Sequence, residues 1–198
     1  MASLSRARES SMGAGMEAEV KKLLLLLLLP LTAHAWQPLY PTYARHGVYR
    51  WHYNPTGEPP GLRDQVLPIL LESAAKWSAA CGVRIEFAGL HAAGFEHDGA
   101  SVVSWGRQLP GYVGFAVAYT DQRQPWLLTE GDVSLNPDHV ALWGLPHVAL
   151  HEFGHALGLD HSERGGTVMS GWPRQEEYEA ADLTADDIAG CQALYGAP

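Results

Sequence analysis

At 198 residues, with hydrophobic residues making up 46% of the sequence, the chain is long enough to bury one sizeable core and too short for two. Its formal net charge of −9 excludes the basic stripe that a phosphate backbone demands, so neither nucleic acid nor an anionic membrane surface is an expected partner.

The chain opens on a stretch that reads as a leader. Lys21 and Lys22 precede an unbroken apolar run from Leu23 to Leu29, and Ala33, His34 and Ala35 make a small-x-small triplet. Positive residues, a short apolar core and such a site are the parts of a secretory signal, and the run is too short for the ~20 helical residues that cross a bilayer. Residues 1–35 are therefore expected to be a signal peptide. The mature domain is then 36–198, secreted or extracellular with periplasmic retention as the alternative, and without a stable membrane anchor.

Short β-rich runs and amphipathic stretches follow in turn. "GVYRWHY" from Gly47 reads as a first strand. Leu67, Leu70, Leu71, Ala74 and Trp77 then recur at helical spacing, with Asp64 expected as N-cap, Pro68 in the first turn and Gly82 as the stop. "VRIEFAG" from Val83, "SVVSW" from Ser101, "VGFAVAY" from Val113 and "DVSLN" from Asp132 read as four more strands, each bounded by turn residues. A helix is expected from about Leu145 to Leu157, then an irregular segment. "LTADDIAGCQALYG" closes the chain as a helix, with Thr184 as cap, Asp187 in the capping-box position, and Ile188, Cys191, Leu194 and Tyr195 on one face. That order fits one α+β domain. Cys81 and Cys191 are the only cysteines. A disulfide in an oxidising compartment and simple packing of Cys191 on the helix stripe are both open.

The stretch "HEFGHALGLDHS", His151 to Ser162, carries the chemistry. His151 and His155 lie one turn apart on one helix face, close enough for both rings to reach a common ion. Gly158 is suited to end that helix in a left-handed conformation, so the chain turns back and brings His161 to the same ion. His147, four residues before His151, does not compete. Residues eight apart on a straight helix are ~12 Å from each other, too far for His147 and His155 to close on one tetrahedral zinc, so His147 is expected at the surface or beside the ligands. Three neutral imidazoles leave a fourth zinc position for water, as catalytic sites do. Glu152 is placed to take that water's proton and return it to a departing amine.

With the third histidine, Gly158 and "TVMS" at Thr167 to Ser170, the chain resembles the metzincin clan of zinc peptidases, and within it the matrixins, the catalytic domains of matrix metalloproteinases. Ser162 after the third histidine, "ESAAKWSAACGVRIEF" and the closing "LTADDIAGCQALYG" extend the resemblance over most of residues 36–198. It implies a twisted mixed five-stranded sheet with three helices and an irregular C-terminal subdomain. It also implies His151, His155 and His161 as zinc ligands, Glu152 as general base, and Met169 as the Met-turn residue beneath the metal. "VGFAVAY" resembles the family's edge strand, on which an extended peptide pairs, so Phe115, Ala116 and Val117 are candidate substrate-binding residues, with Trp172 and Pro173 at the rim of a side-chain pocket. The expected function is a secreted zinc metalloendopeptidase that cuts internal bonds of extended protein or peptide substrates, through a zinc-bound water activated by Glu152. A catalytically silent zinc-containing peptide-binding module is the alternative.

One catalytic zinc is expected. The family's second zinc uses an H-x-D pair and two later histidines. His97 and Asp98 are the nearest candidates here, but Val117 and Ser134 stand where those histidines would fall, so that ion is not expected. Gly131 and Asp132 resemble part of a calcium-binding strand, and calcium is left open there. The domain is expected to be a monomer. No counterpart of the family's zinc-blocking cysteine is found, so activity without proteolytic activation is expected.

Overall fold

The computed structural model of the chain describes residues 36–39, 47–106, 111–140, 144–171 and 182–198. The expected signal peptide, and Trp172 and Pro173, lie outside them. Eight elements follow the order read from the sequence: β1 (Val48–Tyr53), α1 (Val66–Ala80), β2 (Arg84–Leu90), β3 (Ser101–Trp105), β4 (Gly114–Thr120), β5 (Leu128–Leu135), α2 (Leu145–Ala156) and α3 (Ala185–Tyr195). The strands form one mixed sheet in the order β2-β1-β3-β5-β4. β1 runs parallel to β2 and β3, and β3 runs parallel to β5. β4 is antiparallel to β5 and lies at the edge. This is the α+β architecture with a five-stranded mixed sheet and three helices that the matrixin resemblance implies.

The period of two in β1 buries Tyr49, Trp51 and Tyr53 and leaves Arg50 exposed. On α1 the buried positions are Val66, Leu70, Ser73, Ala74 and Trp77, a single stripe facing the core. Trp51 joins the layers, its ring centroid 4.9 Å from Phe87 of β2 and 5.1 Å from Phe153 of α2. Trp77 ties α1 to α2 differently: its indole N–H donates to the Leu150 carbonyl at 2.9 Å, so the polar atom of a fully buried ring is satisfied by the helix that carries the histidines. Removing such a ring from water stabilises the fold by about 2–3 kcal/mol.

Three local expectations need correction. Asp64 does not cap α1. Its φ is +68°, in a turn closed by the Gln65 N–H on the Leu62 carbonyl, and the helix starts behind Gln65 with no side-chain cap. Pro68 does fall in the first turn, where a missing N–H is tolerated. Gly82 is not the helix stop, because Cys81 is already extended (φ −148°). Glycine is required at 82 for space: a Cβ there would lie 2.6 Å from the Tyr195 carbonyl oxygen and 2.9 Å from that of Ala197. Finally, β5 begins at Leu128, because its first residues pair with Tyr119 and Thr120 in a hairpin that extends the ladder beyond "DVSLN".

Cys81, just after α1, and Cys191 of α3 form a disulfide, with Cα atoms 5.8 Å apart. Both are buried, so Cys191 is at once a stripe residue and a cross-link. Thr184 and Asp187 make the expected capping box at the start of α3.

Candidate metal centre and active site

The site is built on α2. His151, Glu152 and His155 project from it, and Gly158 ends it as the sequence led one to expect. Gly158 has φ +100°, the Leu159 N–H reaches back to the Gly154 carbonyl at 2.9 Å, and the Gly158 N–H donates to the His155 carbonyl at 2.9 Å. These two bonds are the pair of a Schellman C-cap, which reverses the chain tightly. Three residues later His161 faces the helix again. Its Nε2 lies 3.2 Å from His155 Nε2, which in turn lies 3.0 Å from His151 Nε2.

Three ring nitrogens this close, none able to donate usefully to another, form a donor set. Two nitrogens bound at ~2.0–2.1 Å to one tetrahedral zinc stand about 3.3 Å apart, so the cluster fits that ion. The opposite ring atoms agree. His151 Nδ1 and His155 Nδ1 each lie 2.7 Å from a backbone carbonyl, those of Val168 and Leu159. A carbonyl only accepts, so both Nδ1 atoms carry the proton and both Nε2 lone pairs are directed inward. Burial holds His151 far below the usual imidazole range and His155 down to about 4, which keeps both rings neutral, as ligation requires. Among the described residues, these three histidines are the group of ligand-type side chains near enough together to hold an ion.

Glu152 is buried beside them at 4% exposure, and its Oε2 has no hydrogen-bond partner. Burial pushes its carboxyl up to about 8. A dication held by the three rings would oppose that shift and favour the carboxylate.

Met169 is buried. Gly154, inside α2, makes room for it, since a Cβ at that position would run into the Met169 sulfur. The turn is closed by the Ser162 N–H on the Met169 carbonyl at 2.7 Å, which couples it to the residue after His161.

α3 holds this turn from behind, which the sequence did not suggest. One carboxylate, that of Asp187, accepts from Met169 N at 3.0 Å, Val168 N at 3.1 Å and Thr184 N at 2.8 Å, and from the Thr184 hydroxyl. Asp186 accepts from the Ser162 hydroxyl at 2.7 Å. The capping signal located Asp187 at the start of α3, but only the fold brings α3 against the turn. Replacing Asp187 by Asn should cost on the order of 3 kcal/mol in urea unfolding, since one of the two accepting oxygens becomes an NH2 that faces buried N–H groups. It should also weaken zinc binding about 10–100-fold in competition with a chromophoric chelator, because the Val168 carbonyl orients His151. A variant that binds zinc like wild type would separate α3 from the site.

The remaining expected residues are placed as follows. Phe115, Ala116 and Val117 lie on the edge strand β4, paired with Ser134, Val133 and Asp132 of β5. Phe115 is exposed, its ring 5.6 Å from Phe95. His147 is not on the surface: it is 2% exposed, its ring centroid 6.3 Å from that of His151, because this face of α2 is covered. His97 stacks flat on Tyr119 at 4.2 Å, with Nε2 3.8 Å from the buried Glu130. Asp98 accepts the Ala100 N–H, and Glu130 accepts from Asp98 N and Gly99 N. Asp132 accepts the Val102 N–H on one oxygen, and burial raises its carboxyl to about 7.

The sheet thus ends on an antiparallel edge strand, and two histidines of α2 meet a third beyond a glycine turn. The chain belongs to the matrixin family, whose sequence model matches residues 63–196. It is similar to mouse matrilysin, 56% identical over 48 residues, which are 24% of this chain and 18% of that protein. It is similar to mouse matrix metalloproteinase-16, 29% identical over 185 residues, covering 85% of this chain and 28% of that protein. Human matrix metalloproteinase-15 is 36% identical over 78 residues, 39% of this chain and 11% of that protein. The chain thus spans less than a third of the length of these relatives. No helix among the described residues is long and apolar enough to cross a membrane.

Proposed function

We propose that this chain is an exported, monomeric zinc endopeptidase that cleaves internal bonds of extended protein segments. The observation that carries the reading is the convergence of three inward-facing Nε2 atoms beside a buried carboxyl group that has an unpartnered oxygen. His151, His155 and His161 would hold the ion, which supplies Lewis acidity and lowers the pKa of a water at its open position. Glu152 takes the proton from the attacking water and passes it to the leaving amine. Phe115, Ala116 and Val117 offer an edge strand on which an extended substrate pairs through its backbone. The disulfide suits an oxidising compartment, and a signal peptide over 1–35 would deliver the chain there.

The test is a pool of quenched peptides incubated with the zinc-loaded protein. Cleavage between internal residues is expected, abolished by o-phenanthroline and restored by equimolar zinc. A protein that binds one zinc and the peptides yet releases no fragment is the silent binding module instead.

A further inference from the structure

Gly114 stands at the head of β4, paired with Leu135 at the end of β5. Glycine weakens a strand by roughly 0.5–1 kcal/mol, so its presence there calls for a reason. Backbone conformation is not that reason, because Gly114 is not among the glycines with positive φ. Space is. A Cβ on Gly114 would lie 2.6 Å from Glu152 Oε1 and 2.9 Å from both Cδ and Cγ of the same side chain. The overlap runs along the stem as well as the tip. Rotating the carboxyl group alone therefore cannot relieve it, and either the whole side chain or the strand must move. No hydrogen bond from the described residues fixes the buried side of the group, since Oε2 has no hydrogen-bond partner. On that side, packing sets where the carboxyl group lies.

We propose that Gly114 is a positioning residue for Glu152. Its bare backbone lets the carboxyl group lie against the edge strand, and so sets the distance between the base and the three imidazoles. The inference rests on the peptidase reading for its kinetic consequence and on geometry alone for its structural one. The strand that would receive the substrate thereby also seats the group that removes the proton, so the two are held in one register. A displacement on the order of 1 Å at such a group costs about 100-fold in rate.

The experiment compares Gly114→Ala with Gly94→Ala, where an added methyl meets nothing within 4 Å. Both proteins are purified with zinc, their metal content is measured, and Glu152 is followed by the ¹³C resonance of its carboxyl carbon, assigned by its loss in Glu152→Gln. For Gly114→Ala we expect one zinc per chain, a displaced Glu152 resonance, kcat lower by about 100-fold and KM within about threefold of wild type. Gly94→Ala should match wild type in every readout. An unmoved resonance in folded Gly114→Ala, or kcat within threefold of wild type, overturns the proposal. If Gly114→Ala does not fold, Glu152→Ala is added, since it removes all three colliding atoms. Recovery of the fold supports the collision, and failure to recover it overturns the proposal. If wild type cleaves nothing, the peptidase reading alone fails, and the resonance still decides the role of Gly114.

Discussion

Glu152→Gln should lower kcat/KM for peptide cleavage by about 10²–10⁴-fold while the protein keeps one zinc per chain. The substitution preserves shape and removes only the ability to accept a proton, and a positioned general base contributes that range. The three imidazoles do not depend on it for their placement. The His151 and His155 rings are oriented by the Val168 and Leu159 carbonyls, and His161 arrives from the far side of the Gly158 turn. Metal analysis by mass spectrometry and initial rates on a quenched peptide check both halves. Loss of zinc together with rate would make Glu152 structural. A rate within tenfold of wild type would mean that another group removes the proton.

Removing the disulfide should produce the largest loss of stability. Cys81 and Cys191 are 110 residues apart in sequence, and closing a loop of about that length stabilises a fold by ~4–5 kcal/mol through the entropy of the unfolded chain. In a domain of this size that corresponds to a fall in Tm of roughly 10–15 °C. The paired replacement Cys81→Ser and Cys191→Ser, followed by circular dichroism on heating, tests it. A shift of only a few degrees would show that the packing of α3 already holds the two ends together. The link bears on function because α3 carries Asp187, which holds Val168 and Met169.

The elements were legible where one local rule acted alone. β-rich runs bounded by turn residues located β1 through β4, the four-residue rail with a glycine stop located α2 and its C-cap, and Thr184 with Asp187 announced α3. The histidines and Glu152 were legible for the same reason, since helix pitch and one turn fix their approach. Misreadings came where distant chain decides. Asp64 has the right chemistry for a cap, but a preceding turn puts it in the left-handed region. Gly82 resembles a helix stop, yet its glycine answers to the backbone at Tyr195 and Ala197. The pairing of the cysteines, the burial of His147, and the work of Gly114 and Gly154 all depend on surfaces that meet only after folding, and no local pattern encodes them.

The four donors gathered by Asp187 tie the shape of the turn at Val168 and Met169 to a helix that comes later in the chain. Until that carboxylate has left the ribosome, the amides of Val168 and Met169 lack their acceptor, and the carbonyl that aims His151 is not yet fixed. A growing polypeptide thus carries His151, His155 and His161 before the turn beside them is held in place.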